Sequence, residues 1–113
     1  MTLLPGAVSR FSSLNTGVVL PAGTQLIVAD PAGNVVADVM GTPDLATAGT
    51  GDALAGILAA VLARPDSPHD AVGVASGVFL HGLAGRIAGR GGRPVTAWDV
   101  VDAVREAVAE LRW

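Results

Sequence analysis

"LATAGTGDALAG", residues 45–56, is the stretch on which the fold turns. Gly49, Thr50, Gly51 and the lone acid Asp52 stand between short β-branched runs and the apolar run "ALAGILAAVLA" at 53–63. Strands followed by a glycine loop that opens an apolar helix form a layout suited to an anion. Gly49 and Gly51 can adopt backbone conformations closed to other residues and let amides approach a ligand. A helix beginning near Thr50 has first N–H groups with no intrahelical partner, at the positive end of its dipole. A phosphate fits such a place. An acid there is repelled by the ligand unless it has a chemical task or caps the helix. As a general base, Asp52 would sit beside the group being transferred. Asp is equally a favoured N-cap, and spacing leaves both roles open. The chain contains no lysine, so no Walker-type P-loop is present.

Working outward, "GVVL" at 17–20 and "QLIVAD" at 25–30 read as strands, and "PAG" at 31–33 as the turn before "NVVADV". The run at 53–63 reads as a helix with no polar face, hence buried on most sides, ended by Pro65 and Pro68. A second helix runs from Asp70 to about Arg90, with Val74, Val78, Phe79, Leu83 and Ile87 at helical spacing. Its glycines, including the Gly73/Gly77 pair, permit close packing in a soluble core. "GRGGRP" at 89–94 is a loop, and Thr96 with Asp99 makes a capping-box-like start to the last helix. Val101, Val104, Val108 and Leu111 are its expected buried stripe, with Trp98 and Trp113 as anchors. Residues 1–16 read as a weakly structured lead segment and 17–113 as the folded part.

The chain has 113 residues, half of them apolar, enough for one domain and its core. Seven arginines against ten acids leave a net charge of −3 with no basic stripe, which argues against nucleic-acid partners. The absence of cysteine fits a reducing compartment, and "MTLLPGAVSR" lacks the pattern of a signal peptide. The uncharged stretch 71–85, interrupted by Ser76 and His81, is short for a bilayer span, so no membrane is expected. His81 in an apolar helix reads as a hydrogen-bonded core residue. With His69 as the only other histidine, no protein-built metal site is expected.

"LATAGTGDALAGILAAVLA", then "GVFLHGLAG", then "TAWDVVDAV" resemble the end of the NAD(P)H-hydrate dehydratases of the ribokinase-like superfamily. The resemblance covers residues 18–108. It implies an α/β fold: the carboxy-terminal portion of a three-layer α/β/α sandwich, short strands first and then three helices. It also implies a cytoplasmic enzyme that repairs hydrated NADH and NADPH. The hydrate's hydroxyl is phosphorylated at the expense of ADP, or of ATP in some members, with Mg2+ accompanying the nucleotide, and phosphate is then eliminated. On this resemblance Asp52 activates the hydroxyl and contacts the hydrate. Gly49, Thr50 and Gly51 form the anion hole for the phosphoryl group, and Gly51 also lies against the nucleotide.

The departures are specific. The family's nucleotide-contacting lysine segment falls on "VVLPAGTQLIV", where Pro21 takes the lysine's place and Gly23 and Thr24 remain as nucleotide contacts. "DVMGTPDLA" keeps Gly41 and Pro43 but loses two asparagines. Family domains are more than twice as long, with most of the sheet and much of the hydrate surface in an amino-terminal portion. Without that portion the helices from Ala53 onward expose apolar faces, so self-association is expected. Two alternatives stay open: a thiazole- or hydroxymethylpyrimidine-type kinase of the same superfamily, and a non-catalytic nucleotide-binding remnant.

Overall fold

The computed structural model describes residues 18–22, 25–38 and 40–112. The lead segment, Gly23, Thr24 and Trp113 lie outside these residues. Strands β1 (Val18–Ala22), β2 (Gln25–Ala29) and β3 (Val35–Asp38) form an antiparallel sheet in the order β1-β2-β3. Val18 pairs with Ala29 and Ala22 with Gln25, while Leu26 pairs with Asp38 and Ala29 with Val35. A 3-10 turn, Pro43–Ala46, leads into three helices: α1 (Thr50–Leu62), α2 (Ala71–Ala88) and α3 (Ala97–Leu111). Short strands followed by three helices is the order expected.

The β2–β3 turn closes as its sequence requires. Gly33 takes φ +89°, and its N–H donates to the Asp30 carbonyl at 3.0 Å. The buried Asp30 carboxylate accepts from the backbone N–H and the side-chain Nδ2 of Asn34, each at 3.0 Å. It also accepts from the Ala71 N–H at 3.0 Å, which ties the turn to the start of α2. These donors hold its carboxyl below the usual carboxylate range, that of Asn34 most strongly.

Helix α2 is central. Its start is capped by Asp70, whose side chain accepts from the Val72 and Gly73 N–H groups. One face joins Val74 and Val78 to Val28 of the sheet and to Leu54, Leu58 and Leu62 of α1. The other packs Leu80, Ala84 and Ile87 against Val100, Ala103 and Ala107 of α3. The helix is long and apolar enough to cross a bilayer, yet 67% of it is buried within the fold.

Two expectations about helix faces are corrected. Helix α1 buries only Thr50, Ile57 and Val61, not most of its surface. Its other faces are built largely from alanine and glycine, which offer too little apolar area to compel burial. In α3 the buried residues are Val100, Ala103 and Ala107, while Val101 and Leu111 are 42% and 38% exposed. Val100, Ala103 and Ala107 meet α2, while Val104 and Val108 lie at the edge of the same cluster, only partly buried. Trp98, 75% exposed, does not anchor the helix. The capping box forms as the sequence indicates, with Thr96 and Asp99 bonded reciprocally.

Candidate functional site

Gly49 ends the loop in a left-handed conformation, φ +89° and ψ −10°, and serves as the N-cap of α1. A Cβ there would lie 3.0 Å from the Ala97 Cβ, so close packing and backbone geometry both call for glycine. Gly51, by contrast, is helical, in the first turn of α1, and a Cβ added to it would meet nothing within 4 Å. Only the first of the two glycines therefore uses the freedom read from the sequence. The space over Gly51 is open, and its N–H belongs to the first turn, where no intrahelical acceptor exists.

Thr50 turns inward. It is 4% exposed, and its hydroxyl lies against the backbone carbonyls of Leu45 and of Thr47, the latter at 2.9 Å. Its N–H donates to the Thr47 carbonyl at 3.3 Å. Thr47 in turn reaches the carbonyls of Asp44 at 2.9 Å and Val95 at 3.1 Å through its own hydroxyl. The two threonines pin the loop from below, while the amides of Gly51 and Asp52 are left for whatever lies above.

Asp52 stands at the third position of α1 and is exposed. Among the described residues it makes no capping bond, and Gly49 at the cap position has a left-handed backbone and no side chain to form a capping box with it. With Gly49 it forms one end of a groove of about 770 Å3 between α1 and α3. Gly56 and Ala60 line one side, Trp98, Val101 and Val104 the other. The valines expected in the core thus form an apolar wall beside the carboxylate. Sequence reasoning missed this groove, because helical spacing marks an apolar stripe without saying what it faces.

From the other side, α2 reaches the same turn. His81, 3% exposed, places Nε2 3.0 Å from the Thr50 carbonyl. A carbonyl only accepts, so Nε2 carries the proton, and Nδ1 is buried with no hydrogen-bond partner. Burial lowers the His81 pKa below the ordinary imidazole value, against opposing effects of the Thr50 bond and the Asp38 charge. His81 is a hydrogen-bonded core residue, as read from the sequence. His69 contacts the Leu62 carbonyl at 2.8 Å in the connection between α1 and α2. Among the described residues no three His, Cys, Asp or Glu side chains come together as a metal site.

The sequence model of a family described as NAD(P)H-hydrate dehydratase matches residues 5–104. The bifunctional NAD(P)H-hydrate repair enzyme Nnr of Moorella thermoacetica is 40% identical over 75% of this chain and 16% of its own length. The protein of that name from Thermofilum pendens is 37% identical over 80% of this chain and 17% of its own. That from Methanopyrus kandleri is 36% identical over 94% of this chain and 23% of its own. The chain thus spans less than a quarter of the length of these relatives.

Proposed function

The chain belongs to the NAD(P)H-hydrate dehydratase family, and from that premise we propose that it carries the phosphoryl-transfer corner of an ADP-dependent repair enzyme. The substrate is hydrated NADH or NADPH. A phosphoryl group passes from the nucleotide to the hydrate's hydroxyl, whose proton goes to the Asp52 carboxylate. Phosphate then leaves with its C–O bond electrons as a proton departs the neighbouring ring carbon, and the double bond of NAD(P)H returns.

One observation carries this reading: Asp52 is an exposed carboxylate, without a hydrogen-bond partner among the described residues, directly after Gly51, whose N–H lies in the first turn of α1 with no intrahelical acceptor. The left-handed Gly49 and the inward-facing Thr50 shape the cradle, and the N–H groups of Gly51 and Asp52 offer it donors. Mg2+ would come with the nucleotide's phosphates, which suits a corner with one carboxylate and no cluster of ligands among the described residues. Gly23 and Thr24 complete the nucleotide contacts in this reading, and the cytoplasm, where NAD(P)H turns over, is the place of action.

The test uses the native protein, purified from its own cells so that any associated polypeptide stays with it. Hydrated NADH, ADP and magnesium are added and the return of reduced-nicotinamide absorbance is followed. ADP-dependent recovery is expected, and Asp52→Asn should lower its rate by roughly two to four orders of magnitude, the range for losing a general base. Stability should change by less than about 1 kcal/mol, the helix-dipole contribution of an exposed first-turn carboxylate. No recovery by the unmodified protein overturns the reading. A variant keeping more than about a tenth of the rate removes Asp52 as the base.

A further inference from the structure

His81 does more at this corner than fill the core. The Thr50 carbonyl and the Gly51 N–H are the two ends of one planar peptide unit. His81 Nε2–H donates to the carbonyl end at 3.0 Å. The N–H end belongs to the first turn of α1, where no intrahelical acceptor exists. A donor on the carbonyl withdraws electron density from the whole unit and strengthens its N–H toward an anion, because hydrogen bonds in a chain polarise one another.

A second observation shows what the position requires. Nδ1 of His81 is buried and unpartnered. An apolar side chain of similar size would fill the same volume without stranding a polar atom, so packing alone disfavours histidine there. What imidazole adds is a donor aimed at Thr50. The next residue, Gly82, makes room for it: a Cβ there would lie 3.1 Å from Met40 atoms and 3.2 Å from the Gly41 nitrogen, so this turn of α2 presses directly on the backbone leading into the loop.

We infer that His81 is a positioning residue that orients and polarises the Thr50–Gly51 peptide, and through it the Gly51 amide, for a phosphoryl group. This rests on the reading of the α1 start as the phosphate site, and it adds a relay running from α2 through a backbone peptide to the ligand.

The experiment titrates the full chain with ADP and, separately, with inorganic phosphate by calorimetry, alongside thermal melts. His81→Leu removes the donor and should weaken both ligands by roughly three- to tenfold, the scale of one polarised hydrogen bond, with the melting temperature held or raised. His81→Gln, which can present an N–H near the Nε2 position, should recover most of the lost affinity. A purely structural role predicts affinity that follows stability and no recovery by glutamine. In the unmodified protein, nitrogen-detected spectra of the imidazole should show the Nε2–H tautomer, and the Gly51 amide should shift strongly on adding phosphate. No ADP binding by the unmodified chain defeats the phosphate-site reading itself. Binding that is unchanged in His81→Leu, or an Nδ1–H tautomer, defeats the relay alone.

Discussion

Three glycines on two neighbouring helices give a sharp test of how closely the fold is packed, because propensity and structure disagree about them. Intrinsic propensity treats Gly73→Ala, Gly77→Ala and Gly56→Ala alike and favours alanine by about 1 kcal/mol each. The structure separates them. At Gly73 an alanine Cβ would fall 1.7 Å from the Pro68 carbonyl oxygen and 2.8 Å from its carbon, both backbone atoms. The connection through Pro68 and His69 must move by well over an ångström, and Asp70, which caps α2 through the Val72 and Gly73 amides, moves with it. Overpacking plus a lost cap, less the propensity gain, gives a net loss on the order of 2–3 kcal/mol. At Gly77 the new Cβ would meet Leu58 Cδ2 at 2.6 Å, the far end of a half-buried side chain that can rotate away. The cost there is about 1 kcal/mol and nearly cancels the propensity gain. At Gly56 nothing lies within 4 Å, so alanine should stabilise by roughly 0.5–1 kcal/mol. Urea denaturation followed by circular dichroism measures all three. Equal effects, or a Gly73→Ala protein as stable as its parent, would refute the close approach of α2 to the Pro68 connection.

Two further outcomes concern the tethers. Asp30→Ala leaves the buried Ala71 N–H without its acceptor and should cost about 1–3 kcal/mol in urea denaturation, with Asp30→Asn intermediate because its amide oxygen still accepts. Because burial depresses the His81 pKa in the folded state, the unfolded chain takes up the proton first. Stability is therefore full above the ordinary imidazole value of 6.5 and falls as pH drops below it, by at most about 1.4 kcal/mol per pH unit for one proton. His81→Leu should flatten that slope in melts taken between neutral and mildly acidic pH, and an unchanged slope would count against a buried neutral imidazole.

Order and type of the elements were legible because each depends on neighbours in sequence. Pro65, Pro68 and the glycines punctuate the helices, the Thr96/Asp99 pair forms its capping box, and Gly33 closes its turn. What the sequence could not show was which side each helix presents. Helix α1 is apolar around most of its circumference, so no periodic signal tells the face of Leu54, Leu58 and Leu62 toward Val74 and Val78 from the face along the groove. In α3 both Val100–Ala103–Ala107 and Val101–Val104–Val108 have helical spacing. Choosing between them needs the position of α2, a partner distant in sequence that helical spacing does not carry. The tie between His81 and Thr50 was hidden in the same way, since 31 residues separate its partners.

The base role proposed for Asp52 can be set beside another aspartate in the same chain. Asp99 and Asp52 both occupy the third position of a helix. Asp99 accepts from the Thr96 N–H at 2.7 Å and lies 2.8 Å from its hydroxyl, and these bonds hold its carboxyl below the usual range, the backbone bond most strongly. Thr96 is extended, φ −104° and ψ 167°, which turns its N–H toward the third residue and completes a capping box. Before α1 the cap is Gly49 at φ +89°, with no side chain to join a box and a backbone turned the other way. The left-handed glycine thus does two things at once: it shapes the loop around Thr50, and it denies Asp52 the cap bond that its position would otherwise invite. A carboxylate so released is not engaged at the helix start, which supports the base role proposed for it. Converting the α1 start to the arrangement before α3, with Thr at position 49, would have to force φ +89° on a β-branched residue and press its Cβ to 3.0 Å from that of Ala97. The free carboxylate and the glycine before it are therefore one feature of the backbone.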